Sequence, residues 1–98
     1  MPRKNKSIVQ EDHDCWLCKR IGYEVYGSDL HHMIHGTANR KLADEDGLTV
    51  YLCRRCHALL HDKGLNDLLL QQEAQTKWQE YYNKTTEDFI KRYGKNYL

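Results

Sequence analysis

The pattern of apolar and polar positions divides the chain at Gly64. Before it the apolar runs are short and strand-like. Leu48-Thr49-Val50-Tyr51-Leu52 is a β-branched and aromatic run that delivers the chain to Cys53, and this composition predicts a strand. A second strand is predicted over Leu30-His31-His32-Met33-Ile34, after the turn signal Gly27-Ser28-Asp29. Ile21 to Tyr26 reads as a short extended segment, and Gly36-Thr37-Ala38-Asn39 reads as loop. A helix is predicted from about Arg54 to Lys63, with Gly64 in the position that favours a helix stop. Beyond Gly64 the period lengthens. Leu70, Ala74, Trp78 and Tyr82 recur every four residues, the stripe of an amphipathic helix from about Leu65 to Tyr82. Thr85-Thr86-Glu87-Asp88 resembles a capping sequence for a last helix whose apolar face is Phe89, Ile90 and Tyr93 and which ends at Gly94. The expected class is α+β.

Composition limits what these elements can bury. A chain of 98 residues makes one domain, and at that size folding removes only roughly 60–65% of the unfolded surface from water. A mean hydropathy of -0.87 and 30% charged residues thin the core further, so a metal staple is a sensible supplement. Residues 1–12, with Arg3, Lys4 and Lys6, read as a disordered basic tail. Residues 13–98 read as the single domain, its metal-binding part at 15–63 and its helical part at 65–98. The chain shows neither repeats nor low-complexity tracts.

Four cysteines form two pairs, Cys15/Cys18 and Cys53/Cys56. Two separated Cys-x-x-Cys pairs suffice for a closed tetrahedral zinc site that holds a fold without performing catalysis. With no signal peptide and no apolar stretch of membrane-spanning length, they point to a reducing, cytoplasmic setting and to metal rather than disulfides. The histidines are then surplus to structure. His57 and His61, four apart on the predicted helix, project from one face as two ligands of a single ion would. The formal charge of +1 gives no global argument for nucleic acid. Its distribution does, because Lys19/Arg20, Arg40/Lys41 and Arg54/Arg55 lie beside the metal-binding segments.

The order is therefore a strand bearing His31-His32, a loop, a strand, and a helix bearing His57-x-x-x-His61, flanked by the cysteine pairs. Through Cys15-x-x-Cys18, Asp29-Leu30-His31-His32 and Leu52-Cys53-x-x-Cys56-His57-x-x-x-His61 this resembles the ββα-metal hairpin of HNH endonucleases, in the subgroup whose two cysteine pairs hold a structural zinc. The whole chain, including residues 36–41 and 93–98, is also similar to small phage and prophage proteins of HNH-like type. The resemblance implies a nuclease that hydrolyses DNA phosphodiesters. It implies His32 as general base, and His31, on the opposite face of the strand, as ligand of a catalytic ion with His57 and His61. That ion would be magnesium, manganese, nickel or zinc. A base near neutral pKa suits imidazole. Arg40, Lys41, Arg54 and Arg55 would meet phosphate.

HNH proteins usually carry an Asn late in the loop that orients the base. Here that region reads Asp46-Gly47-Leu48. Asn39 lies earlier in the loop and is the candidate for the role, with a backbone carbonyl as the alternative and a degenerate site as the third. An inactive relative that binds nucleic acid or a protein partner is the rival function. A C2H2 finger on Cys15, Cys18, His31 and His35 fits the spacing, yet Gly22 and Ser28 stand where such a finger needs apolar residues. His13, among acids, reads as a solvated side chain.

Overall fold

The computed structural model describes residues 6–98. Arg3 and Lys4, assigned from sequence to a basic tail, lie outside the described residues. In chain order the elements are α1 (Trp16–Arg20), β1 (Asp29–His32), α2 (Thr37–Asp46), β2 (Thr49–Leu52), α3 (Arg54–Lys63), α4 (Asp67–Tyr82) and α5 (Thr86–Tyr93). Both α and β elements are thus present, as the sequence predicts.

β1 and β2 form an antiparallel two-stranded sheet in the register Asp29↔Leu52, Leu30↔Tyr51, His31↔Val50 and His32↔Thr49. Alternation along the strands places Asp29, His31, Val50 and Leu52 on one face and Leu30, His32, Thr49 and Tyr51 on the other. An isolated hairpin of this size is marginal in water. Its inner face is therefore packed beneath helices, with Leu48, Val50, Leu52, Met33 and Ile34 all buried.

α2 occupies what the sequence reads as loop. Arg40-Lys41-Leu42-Ala43-Asp44-Glu45 is a run of mostly good helix formers. Gly36 precedes the helix and Gly47 closes it at φ 77, a left-handed cap. A β-carbon at Gly47 would collide with the Lys6 carbonyl oxygen. That close approach exists because residues 7–10 run along the free edge of β2. Ser7 Oγ donates to the Thr49 carbonyl at 2.6 Å, Ile8 N–H donates to Gly47 O at 2.9 Å, and Gln10 Oε1 accepts from Tyr51 N–H at 2.8 Å. An edge strand is thereby covered. These contacts correct the assignment of residues 7–10 to a disordered tail.

α4 and α5 pack on each other and bring Leu70, Ala74, Trp78, Phe89 and Tyr93, all buried, into the core that Val50 and Leu52 share. Their junction is polar. Buried Asp46, at the end of α2, accepts from Trp78 Nε1 at 2.9 Å, Tyr93 Oη at 2.6 Å, and Arg92 Nε at 2.6 Å and Nη2 at 2.9 Å. Burial first, then the bond to Asp46, pushes the Tyr93 phenol above its ordinary range. α5 begins with a reciprocal capping box between Thr85 and Asp88. The chain end folds back, with Tyr97 N–H donating to the buried Gln75 Oε1 at 2.8 Å. Among the described residues no helix is long and apolar enough to cross a membrane.

Candidate metal centre and histidine cluster

The cysteine pairs converge. Cys15 precedes α1, Cys18 lies inside it, Cys53 is the residue before α3, and Cys56 follows in the first turn of that helix. Cys53 adopts extended backbone, φ -72 and ψ 160, which turns its side chain toward its partners. Cys18 Sγ lies 3.9 Å from Cys53 Sγ and 3.7 Å from Cys56 Sγ, and the four sulfurs all fall within 4.8 Å of one another. All are free thiols. Without a cation the cluster resists ionisation: burial, then neighbouring thiols, raises Cys18 and Cys56. At Cys53 burial works in the same direction, yet the Cys56 backbone N–H and the adjoining thiols outweigh it and leave that thiol lowered. Four sulfurs this close together could hold a metal ion such as zinc, which stabilises thiolates outright.

The histidines converge separately. His31 on β1 is 4% exposed, and its Nε2 is buried without a hydrogen-bond partner among the described residues. His57 and His61 approach it from one face of α3, their Nε2 atoms 3.0 Å apart. The ring centroids lie 5.4 Å (His31 to His57), 6.2 Å (His31 to His61) and 4.5 Å (His57 to His61) apart. One ring nitrogen from each falls within the same 4.8 Å span. Burial, followed by the neighbouring His57, His35, His61 and His32, lowers His31 to about 3, so its imidazole is neutral at pH 7.

A carboxylate that the sequence reading left without a role completes this group. Asp29 Oδ2 lies 3.0 Å from His57 Nδ1 and accepts from Arg54 Nε at 3.1 Å. The bond to His57, then those from Arg54, lowers the Asp29 carboxyl. Its signal was available, since Asp29 stands two residues before His31 and so shares its strand face. Arg54, expected at phosphate, is turned toward Asp29, while Arg40, Lys41 and Arg55 are exposed.

His32 leaves the strand on the other face, yet a cavity lined by Leu30, His31, His32, His35, Arg40 and His61 joins it to the cluster. Its Nε2 lies 3.4 Å from Asp44 Oδ1 on α2. Asn39 does not reach it. The Asn39 Nδ2 instead donates to the Tyr93 carbonyl at 3.2 Å, because α2 begins at Thr37 and carries Asn39 toward α5. The Asn39 amide, expected beside His32, is engaged with Tyr93 instead, and the carboxylate beside His32 is that of Asp44. His35 forms a separate pair with Asp67.

The chain matches no family model, no curated protein and no solved structure. The functional reading stands on the residues and their geometry.

Proposed function

We propose that this chain is a metal-dependent, HNH-type endonuclease that hydrolyses DNA phosphodiester bonds, with a structural zinc on Cys15, Cys18, Cys53 and Cys56. One observation carries the reading: three imidazoles converge around an unpartnered, buried Nε2 of His31, while the adjacent His32 opens into the same cavity. A buried polar atom without a partner is costly. A divalent ion held by His31, His57 and His61 would resolve that cost, and neutral imidazole nitrogens suit zinc and nickel better than magnesium or manganese, which prefer oxygen ligands. The Asp29 to His57 contact has the form of a carboxylate fixing the tautomer of a metal-binding histidine.

When bound, such an ion would act as a Lewis acid toward the phosphate oxygens. The chain's own groups do the remainder. With Asp44 accepting from Nε2–H, His32 keeps Nδ1 free to take a proton from an attacking water. Arg40 and Lys41, which line a second, neighbouring cavity with Leu30, His32, Thr37 and Asp44, would bind the strand's phosphates. β1, β2 and α3 then play the parts of a ββα-metal hairpin, although α2 is inserted between the strands.

The test is nicking of supercoiled plasmid and cleavage of single-stranded DNA by protein loaded in turn with magnesium, manganese, nickel or zinc. Cleavage that depends on His32 supports the proposal, and no cleavage with any ion overturns it. The second reading, a binding module that has lost catalysis, is favoured by the engagement of Asn39 with Tyr93.

A further inference from the structure

Three aromatic rings are stacked beside the sheet. His13 lies 3.5 Å from Tyr51 between ring centroids, 20° from parallel, and 4.7 Å from Tyr26, 6° from parallel. A ring 3.5 Å away covers one face of the imidazole, so Tyr26 occupies the other. The stack is built by the backbone. Gly27 N–H donates to the His13 carbonyl at 2.9 Å, and Asp14 and Tyr26 form a β-bridge. A β-carbon on Gly27 would stand 2.5 Å from Tyr51 Cβ, so this approach requires glycine. Tyr26 remains 67% exposed at the outer end.

The stack is continuous with the proposed site. Tyr51 stands opposite Leu30, and both share the sheet face of His32. Leu30 also lines the cavity of His32, Arg40 and Lys41. Tyr51 and His32 are diagonal neighbours on that face, about 7–8 Å apart. The charges differ along this face. Arg40 and Lys41 suit phosphate, whereas Glu11, Asp12 and Asp14 near His13 do not, and Lys19 answers only Asp12 and Asp14. The acids beside His13 therefore disfavour a phosphate at this end of the stack and leave its outer ring to an uncharged group.

We propose that the Tyr26, His13 and Tyr51 ladder stacks an unpaired nucleobase of the DNA strand whose phosphate lies at His32, so that the chain selects nucleotides that have left the duplex. In a duplex each base face is covered by its neighbours, and only edges are offered to a protein. The inference rests on the nuclease reading for its substrate, and a binding measurement separates the two.

The experiment is fluorescence anisotropy of the full chain, without added divalent ion, on a labelled single-stranded oligonucleotide and on the duplex of the same sequence. Tyr26→Ala should weaken single-strand binding by roughly 5- to 100-fold, the scale of one base stacked on an aromatic ring, and leave duplex binding unchanged. Tyr26→Phe, which keeps the ring, should restore it. With the unmutated protein, moving an abasic position along the oligonucleotide should reproduce the loss at one place, and there Tyr26→Ala should add nothing. Equal losses on both substrates, or no loss from either the variant or the abasic positions, would overturn the ladder as a base site and leave a protein surface as its use. Cleavage plays no part in this readout, so a chain that cuts no DNA removes the nuclease reading alone.

Discussion

His31 and His32 are adjacent, yet the strand gives them different surroundings. His31 is buried among imidazoles with an unpartnered Nε2, and His32 is half-buried beside a carboxylate. Under the proposed function, different consequences follow for their removal. His32→Ala should lower cleavage by roughly a hundredfold or more, the usual scale of a general base, while the zinc and histidine-site ion both stay bound. His57→Ala or His61→Ala should lose the histidine-site ion together with activity, as metal analysis of the purified variants would register. The orienting role discriminates between two neighbours on one helix. Asp44→Ala should slow single-turnover cleavage without metal loss, whereas Asn39→Ala, whose amide reaches Tyr93, should leave the rate unchanged. The opposite outcome would return the role to Asn39. Asp29→Ala acts on the ion instead, and a loss of roughly 10- to 100-fold in affinity at the histidine site is expected, with cysteine-bound zinc untouched.

At the scale of elements, the most legible parts of the fold were those whose signals are local. The helix carrying His57 and His61 spans Arg54–Lys63 as its spacing and Gly64 predict, and the capping box of α5 is formed by the Thr85 and Asp88 that announced it. β1 is shorter than predicted because Met33 and Ile34 turn into the core after His32. α2 was not legible: its first turn is Thr37-Ala38-Asn39, a sequence equally suited to loop, and its buried stripe is little more than Leu42 and Ala43. The same division holds in the site. The cysteines and histidines could be read because their ligand spacings are three and four residues, whereas Asp29 and Asp44 acquire their partners through strand register and the placement of α2. So does Asp46, whose carboxylate joins α2 to α4 and α5 through Trp78, Arg92 and Tyr93. Asp46→Ala leaves those donors without an acceptor in a mostly buried junction. A loss of about 2–4 kcal/mol is expected, seen as an earlier thermal transition by circular dichroism, without any change in zinc content.

Over the whole molecule, the cysteine site and the cation distribution act at different ranges. The cysteines tie α1 to the junction of β2 and α3, and a chain of 98 residues with a thin core has few other means of holding that end. Cys53→Ser should therefore release zinc and unfold the chain around α1 and the sheet, while mild chelation should strip the histidine-site ion first, because thiolates hold zinc more firmly than an open imidazole site. Zinc retained in a folded Cys53→Ser protein would rule out the four-cysteine assignment. The DNA binding proposed for this chain would obey a different logic. With a formal net charge of +1 the protein as a whole supplies little long-range attraction, and under the proposed function affinity would come from cations beside His32. Arg40 and Lys41 are exposed beside His32, whereas Arg54 is already shared with Asp29. A plot of log affinity against log salt concentration should be steep for the unmodified chain. Arg40→Ala and Lys41→Ala should each reduce its slope by about 0.9, one phosphate contact apiece. Arg54→Ala should reduce it less, since part of that guanidinium's charge is spent on the Asp29 carboxylate. Equal slopes for all three variants would mean that Arg54 leaves Asp29 to meet the strand, and unchanged slopes at Arg40 and Lys41 would move the phosphate path off α2.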